Sequence, residues 1–176
     1  MSTLTAAAWV AAFLLVLAGA GKVVRPEAAD TAVRTARLPS HVQLIRLLGA
    51  GEVAVGLTVV IVGGTLPAVV LAIAYGGFAV FAQRQRRIGA DCGCFGTTSA
   101  PVTGMHVGMN VLLAVVTAGA ALQPAPALPP MAVDAPLLGA VAAALVVVAA
   151  TLLRLLLTAA AELTVAFELL APKGAT

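Results

Sequence analysis

Five apolar runs, each long enough to cross a bilayer, take up most of this chain. A membrane helix needs about 20 mostly apolar residues, and such runs lie at about 4–24, 41–62, 66–82, 102–122 and from 136 onward. Only 10% of the 176 residues are charged, 61% are hydrophobic, and mean hydropathy is +1.09. A soluble domain carries about 25% charged residues, so a polar shell around a single core is out of reach. The expected fold is all-α: a polytopic membrane helical bundle with no soluble domain. The net charge of +3 is small, and basic residues do not alternate with aromatic ones. Lipid is therefore the expected surrounding, and no nucleic-acid partner is expected.

The first run, "LTAAAWVAAFLLVLAGAGKVV", contains "AGA" at 18–20, which has the small residues of a signal-peptide cleavage site. No Lys or Arg precedes it, whereas a signal peptide opens with positive charge, so a retained helix is expected. "RPEAADTAVRTARLP" is polar and places Arg34 and Arg37 on one helical face. It reads as an interfacial helix over about 26–38, ended by Pro39. Ser40 and Gln43 have the spacing of a capping box for the second span. "GGT" at 63–65 predicts a tight turn, with Pro67 in the first turn of a third span that ends near Ala82. Pro101 is placed to open the fourth span. "QPAPALPP", at 123–130, is expected to be non-helical, because Pro breaks the hydrogen-bond ladder and pushes its predecessor into extended conformations. The chain thus divides into a core at 1–122, an exposed connector at 123–135, and a fifth span with its tail at 136–176. Residues 137–153 alone cover about 25 Å as a helix, which lets Arg154 snorkel at the far end. The tail is expected to continue as a helix along or out of the interface.

Basic residues set the orientation. The first loop region holds Lys22, Arg25, Arg34, Arg37 and Arg46; the third holds Arg84, Arg86 and Arg87; Arg154 and Lys173 follow the fifth span. The N-terminus, "VGGT" and the Pro-rich connector hold none. Five spans put every basic residue on one side, which the positive-inside rule makes cytoplasmic. The N-terminus is then outside, and Cys92 and Cys94 lie on or near the cytoplasmic face.

These two cysteines are the only ones, and they sit in "IGADCGCFGTTSAP". A Gly-rich polar loop is a poor place for inert core cysteines, and three readings stand. In the first, they form a redox pair. The Cα atoms of residues i and i+2 are at most about 7 Å apart, which permits a strained and easily reduced disulfide. Gly93 and Gly96 ease the backbone, and Arg84, Arg86 and Arg87 can favour a thiolate. In the second, the thiolates hold a soft metal, for which Cu(I) prefers Cys and Met. "GMHVGMN" places Met105 and Met109 at i and i+4, with His106 between them, and His41 lies on the same side. Against this, Met at helical spacing is commonly packing, and a lone His near a helix start is commonly a cap. In the third, Cys-Gly-Cys is incidental in a structural membrane subunit.

Glu52, in "LIRLLGAGEVAVGL", is an acid inside a span. Such residues are costly there and mark function or a buried pair in equal measure. Arg46 is on another helical face. Lys22, at matching depth on the first span, is the better partner, and Asn110 can join by bridging helices. Gly49, Gly51 and Gly56 permit close helix approach.

"LAGAGKVVRPE", "LIRLLGAGEVAVGL" and "DCGCFG" before a span together resemble the DoxX-like membrane proteins, in particular their methylamine-utilisation MauE branch. The resemblance covers about residues 5–122. It implies a four-helix membrane core, to which the fifth span is an addition, and it carries Lys22, Arg46, Glu52, Cys92 and Cys94 as site residues. It also implies work with a thioredoxin-like partner in maturing a disulfide-rich exported subunit. The expectation is an integral membrane thiol–disulfide redox protein of the bacterial cytoplasmic (inner) membrane. A copper-binding or carrier protein is the alternative. No resident cofactor is expected. Two cysteines give no second pair for an internal relay, so a partner dithiol or a quinone must supply the other half of the exchange.

Overall fold

The computed structural model describes residues 3–90, 102–123 and 127–170. Among them are seven helices: α1 (Thr3–Val24), α2 (Glu27–Thr35), α3 (Val42–Ile61), α4 (Thr65–Arg87), α5 (Gly104–Leu122), α6 (Leu128–Asp134) and α7 (Pro136–Leu170). Five of these (α1, α3, α4, α5 and the Pro136–Ala159 part of α7) are long and apolar enough to span a membrane.

The exposure pattern is that of a lipid-facing bundle. Leu47, Ile73, Val80 and Leu145 lie largely on the outside, while Lys22, Glu52, Gln85 and Thr117 are buried. Water would reverse that sorting; lipid tails, as apolar as Leu, do not. The spans α1 and α3 form one closely packed antiparallel pair, and α4 and α5 form another. The spans α3 and α4 touch sparsely. One core cluster joins all five spans: Ala11 and Leu15 of α1, Val59 of α3, Leu71 of α4, Leu113 of α5 and Ala150 of α7. Tyr75 ties the two pairs together, its hydroxyl donating to the Ala11 carbonyl at 2.6 Å. Buried Ala142, Val146, Ala150 and Leu157 form the inward stripe of α7, and Trp9 packs against its first two members.

Turns follow local chemistry. Gly63 and Gly64, both at positive φ, reverse the chain after α3, as Gly can without steric cost. Pro67 falls among the first helical residues of α4, whose N–H groups have no partner in the helix. The amphipathic α2 ends earlier than expected, at Thr35. Arg37 takes φ 56°, and the amide of Leu38 reaches back to Val33 while that of Arg37 reaches Arg34. This Schellman-type closure stops the helix before Pro39 and takes Arg37 off the Arg34 face.

Three further expectations are corrected. The cap of α3 is His41, whose Nδ1 accepts from the Gln43 amide at 3.3 Å; Ser40 instead donates to Asp30 at 2.6 Å. The helix α4 continues through "QRQRR" to Arg87, where cations favour the negative end of the helix dipole. Within "QPAPALPP", Leu128 to Pro130 open α6. Both prolines sit in its first turn, where no N–H is needed. The helix α7 runs unbroken to Leu170, in keeping with a helical tail. Pro101, residues 124–126 and Lys173 lie outside the described residues.

Candidate functional site

The site begins with three small residues. A Cβ on Gly19 would lie 2.5 Å from the Gly49 carbonyl oxygen, one on Gly49 would lie 2.6 Å from that of Gly19, and one on Gly56 would lie 2.5 Å from that of Ala12. Backbones this close leave no room for a side chain at these three positions. Lys22 and Glu52 each lie one turn C-terminal to their own helix's glycine and pack over the other's: a Cβ on Gly49 would lie 2.9 Å from Lys22 Cβ, and one on Gly19 would lie 2.9 Å from Glu52 Cβ. The two polar side chains are thereby held face to face, with Lys22 Nζ 2.7 Å from Glu52 Oε2. Their side chains are only 8% and 4% exposed, so the pair is sealed off from solvent. The Phe78 ring centroid lies 5.5 Å from Lys22 Nζ, within cation–π range. Glu52 Oε1 is buried and has no hydrogen-bond partner among the described residues.

Lys22 stands between two cavities. A cleft of about 670 Å³ opens between α3 and α4, with Glu52, Gly51, Gly77, Phe78 and Phe81 on its wall. A narrower one, about 50 Å³, lies toward α5 and is lined by Tyr75, His106, Met109 and Asn110. Gly51 therefore belongs to the cleft wall, with open space around it, and is not a helix-contact glycine. The close contacts belong to Gly19, Gly49 and Gly56.

Cys92 and Cys94 lie outside the described residues, as do Gly93 and Gly96. The anchors of their segment are described. The helix α4 closes with Gly89 at φ 64°, and the Ala90 amide returns to the Gln85 carbonyl. The Val102 amide then donates to the Ala90 carbonyl at 3.1 Å. Ala90 and Val102, the described residues that flank 91–101, are thus joined where α4 ends and α5 begins. The same end of the bundle holds α2, because Gln85 Nε2 donates to the Ala32 carbonyl at 2.7 Å and Arg84 to the Ala36 carbonyl at 2.5 Å. The sequence reading ended the third span near Ala82 and so missed this clamp, in which Gln85 is completely buried.

His106 places its Nδ1 3.4 Å from the Thr103 amide and 3.0 Å from its hydroxyl, and so caps the start of α5. Asn110 donates to the His106 carbonyl at 2.8 Å. Met109 packs against the core cluster, while Met105 is 38% exposed. Arg46 is on an exposed face of α3, away from Glu52. No group of three His, Cys, Asp or Glu side chains is placed to hold a metal among the described residues.

The model of one protein family, methylamine utilisation protein MauE, matches residues 1–124. The chain belongs to the MauE family. The match takes in α1 through α5 together with the Cys-Gly-Cys segment, so the Lys22–Glu52 pair and both cavities are built largely from MauE-family sequence. The helices α6 and α7 lie beyond it. No curated protein and no solved structure matches the chain.

Proposed function

We propose that this MauE-family chain is a thiol–disulfide redox protein of the bacterial inner membrane, serving the maturation of an exported protein in methylamine utilisation. The observation that carries the reading is the Ala90–Val102 hydrogen bond. It joins Ala90 and Val102, the described residues that flank the segment bearing the two cysteines, just past the basic end of α4 with Arg84, Arg86 and Arg87. Basic neighbours favour the thiolate, which is the attacking species.

The exchange balances with a dithiol partner of the thioredoxin-like class. One sulfur of the Cys92–Cys94 pair attacks a partner disulfide, and the partner's second sulfur leaves and takes a proton. The other cysteine then displaces the bound partner sulfur. The chain ends as the disulfide and the partner as the dithiol; the reverse sequence oxidises the partner. The positive-inside rule places this end in the cytoplasm, where a cytosolic thioredoxin can supply electrons. Lys22 and Glu52 hold α1 against α3 beneath it.

Single Cys92→Ser and Cys94→Ser variants test the scheme. The variant that keeps the attacking sulfur accumulates a mixed disulfide with a thioredoxin-like protein, which runs as a reducible adduct on a gel. Absence of an adduct in both variants rules the exchange out.

A further inference from the structure

A groove of about 590 Å³ lies between α4 and α5 at their basic end. On the α4 side, Val80, Gln83, Arg84, Arg87 and Ile88 line it, at the three- and four-residue spacing of one helical face. On the α5 side, Val107 and Val111 line it at the same spacing. From Arg87 to Val80 the groove descends roughly 10 Å along the helix axis. Its polar groups, Gln83, Arg84 and Arg87, belong to the half nearer the helix end. Val80 and Val111, in the deeper half, are apolar and are 73% and 48% exposed. On spanning helices that exposure is to lipid, so the groove opens onto the bilayer.

Among the described residues no carboxylate pairs with Arg84 or Arg87; Asp30 is taken by Arg34 and Glu52 by Lys22. Arg84 donates to the Ala36 carbonyl, a neutral acceptor that fixes the guanidinium without balancing its charge. The same bond sets the depth of the groove. The helix α2, just before Ala36, is short and amphipathic and lies between two spans, and such a helix rests where bilayer meets water. Arg84 and Arg87 therefore stand at the level of lipid headgroups, and Val80 and Val111 at the level of acyl chains. Basic pockets between spans at this depth suit anionic headgroups, and the guanidinium fork matches phosphate oxygens. A free phosphate ion would leave the deeper apolar half unfilled. We propose that this groove binds one anionic phospholipid, with its phosphate between Arg84 and Arg87, its headgroup within reach of Gln83, and an acyl chain along Val80 and Val111. The site does not depend on the redox reading. Arg86 is not part of it: its guanidinium carbon lies 3.7 Å from where a Cβ on Gly104 would stand, at the start of α5.

Native mass spectrometry of the full chain, released from vesicles that mix phosphatidylglycerol with phosphatidylcholine, tests the site. The unaltered chain retains a single phosphatidylglycerol in preference to phosphatidylcholine. Each basic group near a membrane surface favours an anionic lipid about fivefold. Arg87→Gln, which keeps the Arg84 bond to Ala36 and leaves melting unchanged, therefore lowers the preference about fivefold, and Arg84→Gln with Arg87→Gln abolishes it. Arg25→Gln with Arg37→Gln removes the same charge from exposed positions in the same basic loop region, off the groove, and leaves the preference intact. Glycerol phosphate, which carries the anion without acyl chains, does not displace the lipid. An equal loss in the Arg25, Arg37 variant would reduce the effect to diffuse surface charge and overturn the proposal. Displacement by glycerol phosphate would overturn it in favour of a soluble anion. No preference in the unaltered chain would also overturn it, and a preference gained only in Asp91→Asn would assign the two arginines to that carboxylate instead.

Discussion

Gly19 and Gly49 meet with no space for a methyl group on either, and this contact places Lys22 and Glu52 one turn further along their helices within 2.7 Å of each other. The charged pair depends on the glycines. Any side chain at either position would push α1 and α3 apart and break the 2.7 Å contact between the buried ammonium and carboxylate.

Gly19→Ala and Gly49→Ala should each destabilise the bundle. The obstacle is a backbone carbonyl, which cannot rotate away, and overpacking of this kind costs about 1–3 kcal/mol. Gly51→Ala, facing open space, should be neutral or slightly stabilising, since Ala is the better helix former by about 1 kcal/mol. Thermal melting of the three purified variants checks the contrast. Equal melting of all three would remove the glycine contact as the cause of the pairing.

Glu52→Gln leaves Lys22 charged and buried. Removing one member of a buried pair costs about 3–5 kcal/mol, so this variant should melt early and accumulate poorly. Lys22→Met with Glu52→Leu removes both charges and should recover most of that loss, because apolar replacement of a buried pair is often neutral. A double variant as unstable as the single one would show that the pair does more than tie two helices.

Much of this was legible in the sequence for plain physical reasons. Lipid demands about 20 apolar residues per span, so the five runs announced themselves. Lys22 and Glu52 stood out because a charge inside a span needs a partner at its own depth. What stayed hidden was choice among equals. The chain has 17 glycines, and nothing local distinguishes Gly19, pressed against a carbonyl, from Gly51, facing open space. His41 took the cap that Ser40 could have formed because Ser40 was drawn to Asp30 ten residues earlier in the chain. The prolines of "QPAPALPP" signalled a break, yet the last two open α6 because a helix's first turn tolerates them.

Gln85 should prove costly to replace. Gln85→Leu leaves the Ala32 carbonyl without its side-chain donor, at about 1–3 kcal/mol for an unsatisfied buried group. The loss should be local. Limited proteolysis should cut faster within α2 and its flanks, while the spans stay protected. Unchanged cleavage would mean that α2 is held without the clamp.

Orientation has its own test. Membrane-impermeant thiol reagents applied outside intact cells should leave Cys92 and Cys94 unlabelled, and the same reagents should label them in inverted vesicles. Efficient labelling from outside, after prior reduction, would reverse the orientation and move the exchange to the periplasm.

The redox role of Cys92 and Cys94 is tested most directly by titrating thiols against a series of dithiol buffers in anaerobically purified protein, with metal content measured on the same sample. A redox pair gives metal-free protein in which the two thiols disappear and return together as one two-electron couple. Stoichiometric copper, lost in the Cys92→Ser, Cys94→Ser variant and accompanied by thiols that do not titrate as a pair, would contradict it.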